Sequence, residues 1–359
     1  MYGSGFVEIS RGALRRNATA IGKAVRVPVI GILKCNGYGV TVCEAAAAWQ
    51  AAGVAVFGVS RPEEALELRR CGFREDILLL GPIADTQALT QMLRNNVILT
   101  VSSLDNARFY STHAAGHSVR AHLAIDTGMG RFGIRWRDTQ QAKAVYALPG
   151  LSFEGIFSHF SCSFEKGYRT TKLQLKRFLR MTEALQADGI QVGIRHIANS
   201  CAALRFPETR LDAVRIGSGL VGRLPVPVPI VLERVGSFQA QVIDRKLFYP
   251  GDTTGYGSRC KFRTRKAAVI VALGRQDGFG SMARPEPPDL LHFPVQLLRL
   301  LRAWLCPPCV AFQGRKLRLL GRIGNQHTLF DATGVDIGPG DLVEWTGNLM
   351  FTNCERRFL

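Results

Sequence analysis

Nowhere in the 359 residues do about 18 apolar residues run uninterrupted, the length a membrane span needs, so no transmembrane segment is expected. The N-terminus lacks the apolar stretch of a signal peptide, and the expected location is cytoplasmic. Acidic residues are few: 28 Asp and Glu stand against 46 Lys and Arg, for a formal net charge of +18. That balance invites a nucleic-acid reading. Yet the chain has no dense Lys/Arg block and no aromatic residues interleaved with basic ones, so no nucleic-acid partner is expected. An anionic substrate or cofactor would still be attracted. Cys306-Pro-Pro-Cys309 has redox or zinc-knuckle spacing. It lacks the second pair that four-coordinate zinc requires, and no thioredoxin-like unit surrounds it, so no metal is expected. Cys35, Cys43 and Cys162 sit in apolar segments, which predicts reduced core thiols.

The composition that remains is core-forming, 47% apolar and 21% charged, and the length suits one large domain plus a smaller one. A short strand at 6–9 precedes an amphipathic helix with Leu14, Ile21 and Val25 on one face. After it, β-rich runs alternate with helix-like runs. Strands are predicted over 27–35, 54–60, 76–82, 97–102, 119–126, 153–160, 193–198 and 212–217. Helices are predicted over 41–52, 61–72, 85–95, 104–114, 137–147, 170–188 and 200–205. Eight alternations predict an α/β fold, a closed (β/α)8 TIM-like barrel over 10–225, with an open doubly wound sheet as the rival. From 226 to 359 the rhythm changes to short β-like runs at 236–244, 267–273, 317–323, 328–331 and 341–346. These predict a smaller all-β C-terminal domain that strand 6–9 joins. Residues 281–312 interrupt it with a segment that reads as an amphipathic helix carrying Arg299 and Arg302. Such a helix would pack on the β domain, on a partner chain or on a membrane surface.

In a barrel of this kind, chemistry sits at the C-terminal ends of the strands. The first strand ends at Lys34. An ammonium is costly to bury unless something uses it, and a desolvated lysine can form a Schiff base with a carbonyl. A lysine whose stem packs on the strand while its head reaches solvent is the plainer alternative. Other strand ends carry Asp126-Thr127-Gly128-Met129-Gly130-Arg131, Ser158-His159, His196-Ile197-Ala198-Asn199-Ser200 and Arg215-Ile216-Gly217-Ser218-Gly219. The last two clusters suit a phosphate, with Gly217 and Gly219 allowing close backbone approach and Ser200 and Tyr38 adding donors. A phosphate site beside a Schiff-base lysine suggests pyridoxal 5'-phosphate. Plainer roles stand beside these: His196 as a packed support, Asn199 as a turn cap, Asp126 as an organiser of backbone.

With these motifs in order, and with Gly255-Tyr256-Gly257 in the β region, the chain resembles the alanine racemase family, nearly end to end. The insert before Gly321-Arg-Ile-Gly and the ending Arg356-Arg357-Phe358 resemble its serine/alanine racemase branch. The resemblance implies a pyridoxal-phosphate-dependent racemase interconverting L- and D-alanine, or a similar small amino acid, to supply peptidoglycan. Lys34 would hold the cofactor and act as one catalytic base. Tyr256, from the β domain, would act as the other, with His159 in its environment. Arg215 would hydrogen-bond the pyridine nitrogen. Tyr38, His196, Asn199, Ser200, Gly217, Ser218 and Phe358 would line the cofactor site, and Arg131 would meet the substrate carboxylate. It also implies a head-to-tail homodimer with shared active sites.

Four positions depart from the family pattern. Ala124 stands where many members carry a lysine that supports Arg131. Arg275 and Asn325 replace a tyrosine and a methionine near the substrate, which puts polarity there and opens serine or another polar amino acid as substrate. Phe358 keeps a ring but loses a phosphate-binding hydroxyl, a loss of roughly 0.5–1.5 kcal/mol for one neutral hydrogen bond. Two other classes stand beside this: another enzyme of the same fold type, such as a decarboxylase or a D-amino-acid lyase, against which Arg215 speaks because decarboxylases place a carboxylate at the ring nitrogen, and a non-catalytic pyridoxal-phosphate-binding relative. Retention of both Lys34 and Tyr256 argues against it, since a binder needs no second base.

Overall fold

The computed structural model describes residues 5–114, 116–255, 257–258, 260–281 and 293–359. Arg11–Val235 forms one compact unit and Gly236–Leu359, with the N-terminal residues up to Ser10, forms the other.

The first unit holds eight parallel strands: β1 (Val29–Ile32), β2 (Val56–Val59), β3 (Asp76–Leu79), β4 (Val97–Val101), β5 (Val119–Asp126), β6 (Leu151–Phe157), β7 (Ile194–His196) and β8 (Val214–Ile216). They pair in the order β8-β1-β2-β3-β4-β5-β6-β7. A parallel bridge between His196 and Ala213 joins the two ends, so the sheet closes. This is the barrel, not the open sheet. β1 to β5 and β8 are buried along nearly their whole length, on both faces, and are largely apolar for that reason, while β6 and β7 expose residues at their N-terminal ends. The helices are α1 (Arg11–Val25), α2 (Val42–Gln50), α3 (Pro62–Arg70), α4 (Thr86–Arg94), α5 (Leu104–His113), α6 (Thr139–Tyr146), α7 (Arg169–Ala187) and α8 (Ser200–Arg205). Their starts follow capping chemistry. Side chains of Thr41, Asp85, Ser103, Asp138 and Asn199 accept backbone N–H groups of α2, α4, α5, α6 and α8 respectively. At α3, proline opens the helix and the Glu64 carboxylate accepts the N–H groups of Ser60 and Arg61 at 2.9 and 3.2 Å.

Between β1 and α2 the chain does something its composition does not announce. Cys35, Asn36, Gly37 and Tyr38 have φ of 55°, 53°, 62° and 56°, a full left-handed turn. Three of these residues are not glycine, and each costs roughly 1–2 kcal/mol there. Asn36 offsets part of that by accepting the Val42 N–H on its side-chain oxygen at 3.0 Å.

Two expectations are corrected in this unit. Cys43 and Cys71 form a disulfide, with Cα atoms 6.2 Å apart. They lie at the start of α2 and just past the end of α3, neighbouring helices whose packing brings the two thiols together. Cys35 and Cys162 are free thiols, but Cys35 is exposed, not a core residue. Lys34 is not buried either. Burial stops at Leu33, and the lysine opens the left-handed turn one residue further on.

In the second unit, strand Phe6–Ile9 pairs antiparallel with β9 (Gly236–Phe248) and parallel with the C-terminal strand Glu355–Phe358. β9 also pairs with Leu342–Trp345 and Lys266–Val271, and the sheet continues through Thr328–Asp331, Arg315–Leu320 and Cys309–Phe312. Cys309–Phe312 and Glu355–Phe358 were not expected as strands. Helix α9 (Phe293–Leu305) falls within the 281–312 segment, whose residues 282–292 lie outside the described ones. Its Leu298 and Leu305 are 66% and 68% exposed, so the expected packing on the β domain is not made by these residues. Among the described residues, no helix is long and apolar enough to cross a membrane and no group of side chains could hold a metal.

Candidate functional site

The strand ends of the barrel bring Lys34, Arg131, His159, His196, Asn199, Ser200, Arg215, Gly217 and Ser218 into the same unit. Arg215 organises them. It lies on β8, in register with Ile30 of β1, and is 4% exposed. Its Nη1 donates to His196 Nδ1 at 2.7 Å and to the His196 carbonyl at 2.9 Å. Its Nη2 donates to the Ser158 carbonyl and lies 3.3 Å from His159 Nδ1. Among the described residues nothing accepts its Nε–H, the one donor of the fork left over. The guanidinium also lies 5.1 Å from the Phe157 ring, which stacks on His196.

A guanidinium cannot accept a hydrogen bond, and this fixes the protons behind it. His196 Nδ1 must be the acceptor, so its Nε2 carries the hydrogen. That nitrogen donates to His122 Nδ1 at 2.9 Å. His122 was missed by the sequence reading. Its signal was parity: it occupies the same strand face as Ala124 and Asp126, a lone imidazole in an apolar strand. Gly155 makes room for it, since a Cβ there would lie within 2.9 Å of the imidazole ring.

Burial and the adjacent Arg215 charge push His122 down to about 3, and push His196 well below its ordinary value. His159 also falls to about 3, through burial and then the charges of Arg215, Arg131 and Lys34. Arg215 itself is pushed down to about 9 by burial and by Arg131, which leaves it a cation at neutral pH. The consequence for stability has a definite sign. In the unfolded chain a histidine titrates near 6.5. Above that pH these buried imidazoles cost nothing. As pH falls from 6.5 toward about 3, the unfolded state binds protons the fold refuses. Each fully buried histidine then removes about 1.4 kcal/mol of stability per pH unit. Urea unfolding at pH 7, 6 and 5 should show midpoints that fall steeply below pH 6, and a flat profile would contradict the neutral His122–His196 pair.

The cluster expected to hold a phosphate follows β7 and β8. The Ser200 hydroxyl oxygen accepts the N–H groups of Gly217 and Gly219 at 3.1 and 3.3 Å, which leaves its own hydrogen to donate. Gly217 therefore acts through Ser200 in this arrangement. The Tyr38 hydroxyl lies over Gly217, where a Cβ would overlap it. Burial pushes the Tyr38 phenol above its ordinary value, and the Ser218 backbone N–H pulls it the other way. Asn199 caps α8 with its side-chain oxygen, which also accepts from Ser163 at 2.8 Å. Only its amide hydrogens remain for a ligand.

Asp126 turns out to organise backbone. Its Oδ1 accepts the N–H groups of Gly128, Met129 and Gly130 at 2.9, 2.9 and 3.1 Å, and so shapes the loop that presents Arg131. A second unforeseen cluster ties that loop to β6. Thr127 Oγ1 lies 2.8 Å from Ser158 Oγ, and Gln174 donates to Thr127 Oγ1 and to the His159 carbonyl at 3.3 and 3.1 Å. With Asp126 committed to main chain, the mouth residues Lys34, Arg131 and Arg215 form a cationic group. The donor set suits an anion: the Ser200 and Tyr38 hydroxyls and a leftover guanidinium N–H.

The remaining candidates lie in the second unit. Arg275 and Asn325 are brought together there, with Arg275 N donating to the Gly324 carbonyl and Gln276 N to the Asn325 carbonyl, both at 3.0 Å. Both side chains are exposed. Phe358 is half-buried on the C-terminal strand, opposite Ile9. Tyr256 lies outside the described residues, between Gly255 and Gly257, whose φ values are 77° and 74°.

A closed parallel barrel with a cluster of donors on its last two strands, followed by an antiparallel β unit, defines a class of two-unit α/β-barrel proteins. The family model for the alanine racemase N-terminal domain matches residues 9–225. The alanine racemase of Desulfosudis oleivorans is 33% identical over 360 residues, covering 95% of this chain and 86% of that protein. That of Desulforamulus reducens is 34% identical over 343 residues, covering 93% and 85%. The solved alanine racemase of Clostridium difficile 630 shares the fold, with a TM-score of 0.88 at 24% identity over 100% of this chain and 96% of that one. The chain belongs to the alanine racemase family.

Proposed function

We propose that this protein is a pyridoxal-phosphate-dependent racemase that interconverts L- and D-alanine, the D-form serving peptidoglycan. The observation that carries the reading is Lys34 at the β1 end together with a buried Arg215, one N–H of which has no acceptor among the described residues. The donor set fits the cofactor: Tyr38, braced by the Ser218 amide, and Ser200 for its phosphate, Lys34 for its carbonyl carbon, Arg215 for its pyridine nitrogen. When bound, the pyridoxal ring acidifies the Cα–H of the amino acid.

The chain's own residues do the rest. Lys34 Nζ exchanges the Cα proton on one face. Tyr256 Oη exchanges it on the other, supplied by a second copy in a head-to-tail homodimer. Arg131, held by the Asp126 loop, attracts the substrate carboxylate. Arg215 donates a hydrogen bond and keeps its proton, because a guanidinium does not deprotonate near neutrality. His159 stays neutral among three cations and so can accept a hydrogen bond near the phenol that must act as a base.

A second reading, a racemase for serine or another polar amino acid, rests on the exposed polar pair Arg275 and Asn325. A panel of L-amino acids incubated with cofactor-loaded enzyme, with enantiomers resolved, separates the readings. Alanine should invert fastest. Faster inversion of serine or a charged amino acid would move the assignment to the second reading, and no inversion of any would remove both.

A further inference from the structure

The barrel carries a second cationic cleft, remote from the strand ends in topology. Helices α3 and α4 run back along the barrel, so their C-terminal ends lie by the N-terminal ends of β3 and β4, on the face opposite the active-site loops. A cleft of about 710 Å³ runs along α3 from Glu63 in its first turn to those helix ends, where it is lined by four arginines, Arg69, Arg70, Arg74 and Arg94. That volume falls within the range of small-molecule sites.

The floor of the cleft is built. Arg69 donates from Nε to the Asn95 carbonyl at 2.9 Å, from Nη1 to the Phe73 and Glu75 carbonyls at 2.9 Å each, and from Nη2 to the Asn96 carbonyl at 3.2 Å. One guanidinium thus ties the loop after α3 to the loop after α4 with main-chain acceptors alone. The nearby acids are occupied elsewhere. Asp76 pairs with Arg120 at 2.8 Å, and Glu75 accepts from Gln50 and from the Arg74 backbone N–H. Among the described residues, no carboxylate pairs with Arg70, Arg74 or Arg94. Glu63 is the one acid on the lining, so the cleft holds four cations against one anion. Leu66 adds an apolar wall.

Basic residues at helix C-termini do complement the helix dipole, and Arg70 and Arg94 have that role available to them. It does not account for Arg74, which lies beyond the helix, or for the concave shape. Planar guanidinium forks facing one cavity match phosphate oxygens. We propose that this cleft binds a ligand carrying two or more contiguous phosphates, held by Arg70, Arg74 and Arg94 above the fixed Arg69.

The test is calorimetric titration of the full-length, cofactor-saturated enzyme with pyrophosphate, ATP, adenosine and inorganic phosphate. Saturable one-to-one binding of pyrophosphate and ATP is expected, with none for adenosine. Tighter binding of ATP than of pyrophosphate would assign the Leu66 wall to a nucleoside. Arg70→Glu/Arg74→Glu should weaken binding about a hundredfold and leave the racemase rate unchanged. If the double variant does not fold, Arg94→Glu carries the same comparison. Absence of saturable heat, or affinity unchanged in the variants, would overturn the proposal. So would inorganic phosphate binding as tightly as pyrophosphate, which would mean an adventitious ion only.

Discussion

Lys34→Ala is expected to lower the rate of alanine racemisation by about four orders of magnitude or more. The substitution removes two things together. It removes the amine that would hold the cofactor covalently, and it removes the group proposed to carry the proton on one face of Cα. General acid–base catalysis by one positioned group supplies about 10²–10⁴-fold, and covalent capture adds to it. The fold should survive. Lys34 is exposed and opens the turn without bracing it, its Nζ lying 5.6 Å from the Tyr38 ring centroid. The variant should therefore unfold at nearly the wild-type urea concentration while losing the covalent cofactor absorbance. Racemisation within tenfold of wild type, or a covalent cofactor band that persists, would reject the assignment of Lys34.

Arg215→Leu should do the reverse and damage the fold as well as the reaction. Removing the guanidinium leaves the His196 and Ser158 carbonyls and the His196 ring nitrogen without their donor in a buried place. Breaking a buried charged network of this kind costs about 3–5 kcal/mol. It should also change the acid profile in a way simple packing loss would not. With the Arg215 charge gone, one of the pressures holding His122 and His196 neutral is lifted. Their ring pKa values should rise toward the ordinary histidine range, and the acid-side loss of stability should become shallower. Histidine ring resonances followed by NMR across pH 4–8 report this directly. Arg215→Lys is the informative companion, because it keeps a cation but not the fork. A leucine variant that matches wild type in urea midpoint would show that Arg215 does not hold the strand ends together.

Much of this architecture could be read before any coordinates. Parallel strands buried in a barrel wall appear as apolar runs, and seven of the eight barrel strands fall within the predicted runs, while β6 starts two residues earlier, at Leu151. Five of the eight barrel helices carry Asp, Ser, Thr or Asn where orphan N–H groups need acceptors, and the predicted helix starts lie within a residue or two of the observed ones. The β unit was harder. Glu355–Phe358 is mostly charged, and Cys309–Phe312 follows two prolines, so neither looks like a strand without its partners. The Cys43–Cys71 disulfide depends on how two helices pack, which spacing along the chain does not encode. At the site, the strand-end clusters announced themselves, because polar residues and glycines after an apolar run are conspicuous. His122 did not, because a single imidazole within a strand is ordinary until its neighbour on another strand is known. Lys34 was misjudged in one respect: the run before it is buried, but the backbone changes hand before the lysine can follow.

That change of hand has a consequence for the molecule as a whole. Three non-glycine residues in left-handed geometry, Cys35, Asn36 and Tyr38, together hold about 3–6 kcal/mol of conformational strain. A domain's entire net stability is only about 5–15 kcal/mol. The segment that carries Lys34 is therefore poised to open before the barrel around it does. In amide hydrogen exchange, Gly37 and Gly39, which donate back to Leu33 and Cys35, should lose protection at a lower opening free energy than the strands. Wear anywhere in the barrel wall, from a cavity, a lost cap or a broken disulfide, would then be felt first at the lysine, as lost activity in a chain that still looks folded.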